Sequence, residues 1–275
     1  MSNLRVTPIN AWDDAVLSSS PALPALSPLS FSQTVTRDAA AISSGPGDLV
    51  IDGHWNGNGR RLSSFHLFRH NAHGGLLRLQ LFDNMDRTSE NYNSGALEVY
   101  PLTAIEAEWG VAPLGFSSSD VLGPESPFWI YFAEKTALSF RLTLTRCQNI
   151  NWTLGRPFMG RYLEAPYNPE HGMTFGWQST GQQQRTLDAS LRTRPGSRFR
   201  ELKADMFFAT DADRALWRDL LGQIDLHEDV AISIAPDYGG MVERNGVFNA
   251  QLQEHSPFRW ANPAFHETIL TFAEV

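Results

Sequence analysis

Four histidines crowd one short stretch, His54, His66, His70 and His73, and closely spaced imidazoles are the raw material of zinc sites. A zinc protease would need His-Glu-x-x-His on a helix, and structural zinc would need cysteines close by. Neither accompanies these residues. His66 and His70 sit on a strand-like run, Phe65-His-Leu-Phe-Arg-His70. We therefore read His70 as a hydrogen-bonded structural residue whose neighbour Asn71 fixes a turn into Gly74-Gly75, and expect no metal.

Other chemistries fare no better. Gly115-Phe-Ser-Ser-Ser-Asp120 lacks the glycine after the serine that a nucleophile elbow requires, so it reads as a loop. No Gly-Lys-Ser/Thr tract exists, and the Gly-rich segments lie between strands rather than before helices, which leaves phosphate cradling unsupported. Glu106 and Glu108, flanking Trp109, are the carboxylate pair to test first for glycoside hydrolysis, because residues two apart share one strand face. A solvated strand edge is the reading we prefer for them. Cys147 is the only cysteine, so the fold rests on no internal disulfide, and its place at the end of a strand suits a small buried hydrophobe. Neither a catalytic residue nor a cofactor is expected.

Aromatic residues carry more. Among eight tryptophans, Trp129 and Trp217 suit the core, while Trp55, Trp109 and Trp177 are candidates to stack on a sugar ring or anchor a partner protein; Trp55 and Trp177 both lie in Gly-rich polar surroundings.

A net charge of -8 argues against nucleic acid, whose binding gathers Lys and Arg into patches. Lys135 and Lys203 are the only lysines beside twenty arginines, a bias we attribute to codon usage. The N-terminus has no apolar run of signal-peptide type, and nothing approaches membrane-spanning length, so a soluble protein made in the cytoplasm is expected, with no membrane insertion. Without a secretion signal, the Asn151-Trp-Thr153 glycosylation match has little weight.

The elements that would position these residues are mainly β. Leu77, Leu79 and Leu81 alternate with Arg78 and Gln80, and Phe140, Leu142 and Leu144 alternate with Arg141 and Thr143, the two-residue period of half-buried strands. Such strands, with the long loops 83–95 and 110–127 and a Pro/Ser-rich surface segment at 18–30, suit a β-sandwich of jelly-roll type over residues 1–160. Residues 155–160 read as the sandwich edge giving way to a connection. Residues 161–275 then form a second, β-rich domain with one short helix at 211–221. Thr210 is its N-cap, Asp213 completes a capping box, and Leu216, Trp217, Leu220 and Leu221 make one apolar stripe. A hairpin is expected to turn at Pro195-Gly196, and another at Asn245-Gly246 within 242–252.

Leu67-Phe-Arg-His-Asn71 followed by Gly74-Gly-Leu-Leu-Arg-Leu79 resembles tailed-phage proteins whose N-terminal half is a discoidin-like, galactose-binding-type jelly roll. Residues 155–160 and Gly181-Gln-Gln-Gln184 look like the same group. The C-terminal hairpin, the helix after Thr210, the strand at 230–236 and the closing Phe-Ala-Glu-Val are similar to the ring-forming portion of siphophage distal tail and tail-tip proteins. Together these motifs span most of the chain, and residues 83–127 match nothing in the group. The resemblance implies a non-enzymatic virion protein of the tail tip or baseplate. It would form a cyclic homo-oligomer and link the tail tube to hub or tail-fibre proteins. A carbohydrate-binding module recognising host surface glycan is the alternative.

Overall fold

The computed structural model describes residues 3–36, 39–45, 47–72, 74–99, 127–145, 151–167, 173–185, 190–208, 210–254, 259–262 and 265–275. Glu106, Glu108, Trp109, Cys147, His73 and the 115–120 loop lie outside them. The strands run β1 (Arg5–Thr7), β2 (Val16–Ser20), β3 (Ala41–Ile42), β4 (Leu49–His54), β5 (Arg60–His70), β6 (Leu76–Phe82), β7 (Glu90–Asn93) and β8 (Leu97–Glu98). They continue as β9 (Phe128–Ala137), β10 (Ser139–Thr145), β11 (Thr153–Gly160), β12 (Leu163–Glu164), β13 (Thr174–Ser179), β14 (Gln182–Arg185), β15 (Leu191–Arg194) and β16 (Arg198–Phe208). After helix α1 (Asp211–Leu221) come β17 (Asp229–Ser233), helix α2 (Gly240–Asn245), β18 (Val247–Leu252), β19 (Arg259–Asn262) and β20 (Phe265–Glu274). The protein is mainly β, with a β-sandwich and little helix.

Two compact units emerge. The first joins residues 1–164 to 230–248, and the second joins 165–229 to 249–275, so the chain returns to its first unit late. A linear division at 160/161 does not contain that return. In the first unit, the antiparallel sheets β2-β4-β10-β6-β7 and β3-β11-β5-β9 sandwich one core. Leu77, Leu79, Leu81, Phe140, Leu142 and Leu144 are all fully buried there, as their alternation requires.

β5 breaks that alternation, with every residue from Leu62 to Phe68 buried. Phe65 and Leu67 belong to the sandwich core, while Phe68 joins Phe158, Ala231 and Val247 in a separate cluster on the opposite face. There the strands β12-β1-β17-β18 form a third layer, in which β1 pairs antiparallel with β17 through Arg5↔Ser233. Strands covered on both faces lose their polar side. β11 is buried for the same reason; β3 pairs only with its Thr153 and Leu154, and over 155–160 its ladder partner is β5, in keeping with the edge expected there.

Two further expectations are corrected. Residues 240–245 form α2 instead of a hairpin strand. Gly239 enters the helix at φ 75, a conformation that favours glycine, and the Glu243 carboxylate accepts its amide at 2.8 Å. Pro195-Gly196 is not a hairpin tip, because β13 pairs with β16 on one side of it and β14 continues with β15 on the other, as far as Arg185↔Leu191.

In the second unit the order is β18-β20-β16-β13, with β19 on β20. Leu202, Ala204, Met206 and Phe208 form one buried face of β16. α1 begins as expected, with the Thr210 hydroxyl oxygen accepting the Asp213 amide at 3.1 Å. The Asp213 carboxylate, however, accepts from the Thr210 hydroxyl at 2.6 Å. Trp217, 6.1 Å from Phe208 between ring centroids, is buried with Leu220 and Leu221. Leu216 is 42% exposed, so the buried stripe is narrower than the sequence suggested. No described helix is long and apolar enough to cross a membrane.

Candidate binding surface

The histidines separate into structural roles. His70 Nδ1 accepts the Ala72 amide at 3.0 Å, and Asn71 bridges to the next strand by accepting from the Thr153 amide and donating to the Asn151 carbonyl, both at 2.7 Å. His66 faces the third layer, stacked on Phe68 at 5.7 Å and edge-on to Tyr131 at 5.6 Å. Burial pushes its pKa down to about 3, so the imidazole is neutral. Nearby, the Arg5 guanidinium lies over the rings of both Tyr131 and Tyr162, at 4.6 and 4.8 Å. Burial opposes its charge, but hydrogen bonds to Asp237 and Glu164 outweigh that and raise its pKa. Arg5 is 8% exposed, and this layer offers little surface to a ligand. Among the described residues no three His, Cys, Asp or Glu side chains cluster to hold a metal.

The tryptophans divide sharply. Trp55 is 1% exposed, its ring 5.3 Å from Phe140, and its indole N–H donates to the Ala11 carbonyl at 2.6 Å. A side chain so enclosed cannot stack on a sugar from solution, and the polar Gly-rich sequence around it concealed this. Trp177 is 66% exposed on β13. The Arg200 guanidinium sits 5.7 Å from its ring and is held by an ion pair to Glu274, which also accepts the Arg200 amide at 2.9 Å. An exposed indole with an anchored cation beside it can grip an aromatic, sugar or anionic group.

Trp177 belongs to a long hairpin ribbon, anchored at its base where β16 also pairs with β20 from Glu201 onward. β13 pairs with β16 from Thr174↔Lys203 to Ser179↔Arg198, and β14 continues with β15 from Gln182↔Arg194 to Arg185↔Leu191. Between these ladders the Thr180 amide donates to the Ser197 carbonyl at 3.0 Å, and the Ser197 amide to the Thr180 hydroxyl at 2.9 Å. The strands pinch here: a Cβ on Gly196 would lie 2.2 Å from the Gly181 nitrogen, so glycine is required. Three residues on one strand face two on the other, a bulge that shifts the register by one. Every residue of β13, β14 and β15 is exposed, including Phe175 and Leu191. Sequence reading picked out Trp177 and the glutamine tract but did not join them, because the pairing partners lie beyond the tip.

No family model matches the sequence, and no curated protein matches it. Among solved structures, chitosan-binding module 1 of a chitosanase/glucanase from Paenibacillus sp. IK-5 is similar over 56% of this chain and 99% of its own, with 13% identity and a TM-score of 0.40. A family 32 CBM from C. perfringens NanJ, solved with galactose, is similar over 58% and 99%, at 9% identity and a TM-score of 0.38. A fucosidase from Ruminococcus gnavus, solved with fucose, is similar over 56% of this chain and 27% of its own, at 8% identity and a TM-score of 0.38. Likeness at this level says nothing about a ligand of this chain.

Proposed function

We propose that the protein is a non-catalytic building block of a larger particle, a bacteriophage tail tip or baseplate, and that the 174–203 ribbon docks it to its neighbours. The exposed ribbon is the observation that carries the docking role. The strands β13, β14 and β15 are exposed along their whole length, and Trp177, Phe175 and Leu191 held in water are characteristic of a surface that is covered on assembly. The phage assignment rests on the order of sequence motifs, and a place in the virion, with tail tube, hub or fibre proteins as partners, follows from it. Replacing 180–197 by a short Asn-Gly turn between Ser179 and Arg198 shortens the ribbon and removes no buried side chain among its described residues. The shortened protein is expected to keep its melting temperature within a few degrees and to fail to enter reconstituted tail tips seen by electron microscopy. Normal incorporation would refute the docking role.

Carbohydrate binding is the second reading, favoured by the exposed Trp177 indole beside the anchored Arg200. On this reading the intact protein binds a host glycan on an array. Trp177→Ala then weakens that binding by about tenfold or more, the worth of about 1.4 kcal/mol of stacking. Silence across host glycans would remove it.

A further inference from the structure

Ribbon residues 174–203 contain Arg185, Arg192, Arg194, Arg198, Arg200 and Lys203 against Asp188 and Glu201, a net charge of +4. The whole chain carries -8, so the remaining residues carry -12. The second unit also presents the opposite charge. Residues 211–228 hold Asp211, Asp213, Asp219, Asp225 and Glu228 against Arg214 and Arg218, a net charge of -3 with His227 neutral. Asp211, Asp219, Asp225 and Glu228 are exposed, and Leu216 and Leu226, each 42% exposed, stand among them. The internal pairs Arg214–Asp211 at 3.2 Å and Arg218–Asp219 at 3.3 Å involve exposed acids and bind their partners weakly.

We infer that the basic, aromatic ribbon of one copy docks on the acidic, leucine-bearing 211–228 surface of a second copy. This rests on the reading of the protein as an assembly component and names its partner. Both halves of the match are present in one chain: arginines with Trp177 and Leu191 on the ribbon, acids with Leu216 and Leu226 on the other surface. Because the two surfaces differ, the contact is head to tail, the type that generates a ring when its rotation closes. Charge supplies the orientation and the encounter rate, and the apolar side chains supply the dry contact.

Sedimentation velocity of the full chain tests this, at about 0.02 M and about 0.5 M salt, where screening differs severalfold in range. Wild type is expected to self-associate at low salt and to weaken about tenfold or more at high salt. Arg192→Glu/Arg194→Glu on the ribbon, or Asp211→Lys/Asp219→Lys on the opposing surface, should each leave a folded monomer, with unchanged circular dichroism. An equal mixture of the two variants should regain association, since native surfaces meet at one contact and charge-swapped surfaces at the next. The chain carrying all four changes should regain association. A wild type that stays monomeric at low salt, or association that either pair of substitutions leaves intact, overturns the inference. If that monomer still enters its particle through the ribbon, the partner is another protein and the assembly reading stands. If ribbon shortening leaves incorporation unchanged, the assembly role of the ribbon falls as well.

Discussion

Lowering the pH from 7 to 3 is expected to remove about 4–5 kcal/mol of folding stability through His66 alone. The imidazole is fully enclosed between Phe68 and Tyr131, and neither ring nitrogen has a hydrogen-bond partner among the described atoms. Its folded pKa is about 3 against 6.5 for a free histidine. Between those values the unfolded chain takes up a proton that the folded chain refuses, so stability is complete above about pH 6.5 and drains as the pH falls toward 3. The slope is about 1.4 kcal/mol per pH unit. Arg5 lies against the same Tyr131 ring and pairs with Asp237 and Glu164, while Glu243 accepts from the Trp129 indole beside it. The readout is a difference between two chains, in which every other group cancels. Urea unfolding of wild type and His66→Phe, followed from pH 7 to pH 4, should show the variant losing less stability with each pH step. At pH 7 the variant should be as stable as wild type or about 1 kcal/mol more so, because it no longer buries unbonded nitrogens. Parallel pH profiles would show that His66 is not held neutral by burial.

Asp13→Ala is expected to destabilise the protein by about 3 kcal/mol, lowering its melting temperature by roughly 10 °C. Arg156 is fully buried on β11, and its guanidinium donates two hydrogen bonds to the Asp13 carboxylate at 2.6 and 2.7 Å. The fork geometry satisfies a charge that the interior otherwise disfavours. Asn10 completes the clamp, its amide donating to the Pro157 carbonyl at 3.0 Å while its oxygen accepts the Met159 amide at 2.9 Å. Removing the carboxylate strips a buried cation of its counter-charge. Removing both charges, as Asp13→Ala with Arg156→Met, should restore most of the loss, because an apolar pair needs no compensation. A double variant as unstable as the single one would show that the effect comes from the turn at Asp13 rather than from the ion pair. Calorimetry of the two variants decides between these.

Local signals were legible wherever one neighbour shell governs a residue. The alternations at 77–81 and 140–144 matched their burial, because each strand has one wet face and one dry face. The Thr210 cap was legible because its hydrogen bond spans only three residues. The expected hairpin at 242–252 failed where local preference was overridden. Asn245-Gly246 is a strong turn pair, yet Gly246 ends a helix that the Glu243 carboxylate caps at Gly239. The two-faced burial of β5 and β11 was not legible for a different reason, since burial on a second face depends on a third layer built from both ends of the first unit.

By itself the sequence determined a mainly β chain, its strand periods and its capped helix, because these follow from backbone geometry and side chains close in the chain. Only the tertiary structure decided which tryptophan meets solvent. Trp55 is enclosed by Phe140 and Ala11, distant in sequence, whereas Trp177 lies on β13, a strand exposed along its whole length. Similar polar, Gly-rich surroundings surround both, and the difference between a core residue and a contact residue is set by packing across the fold.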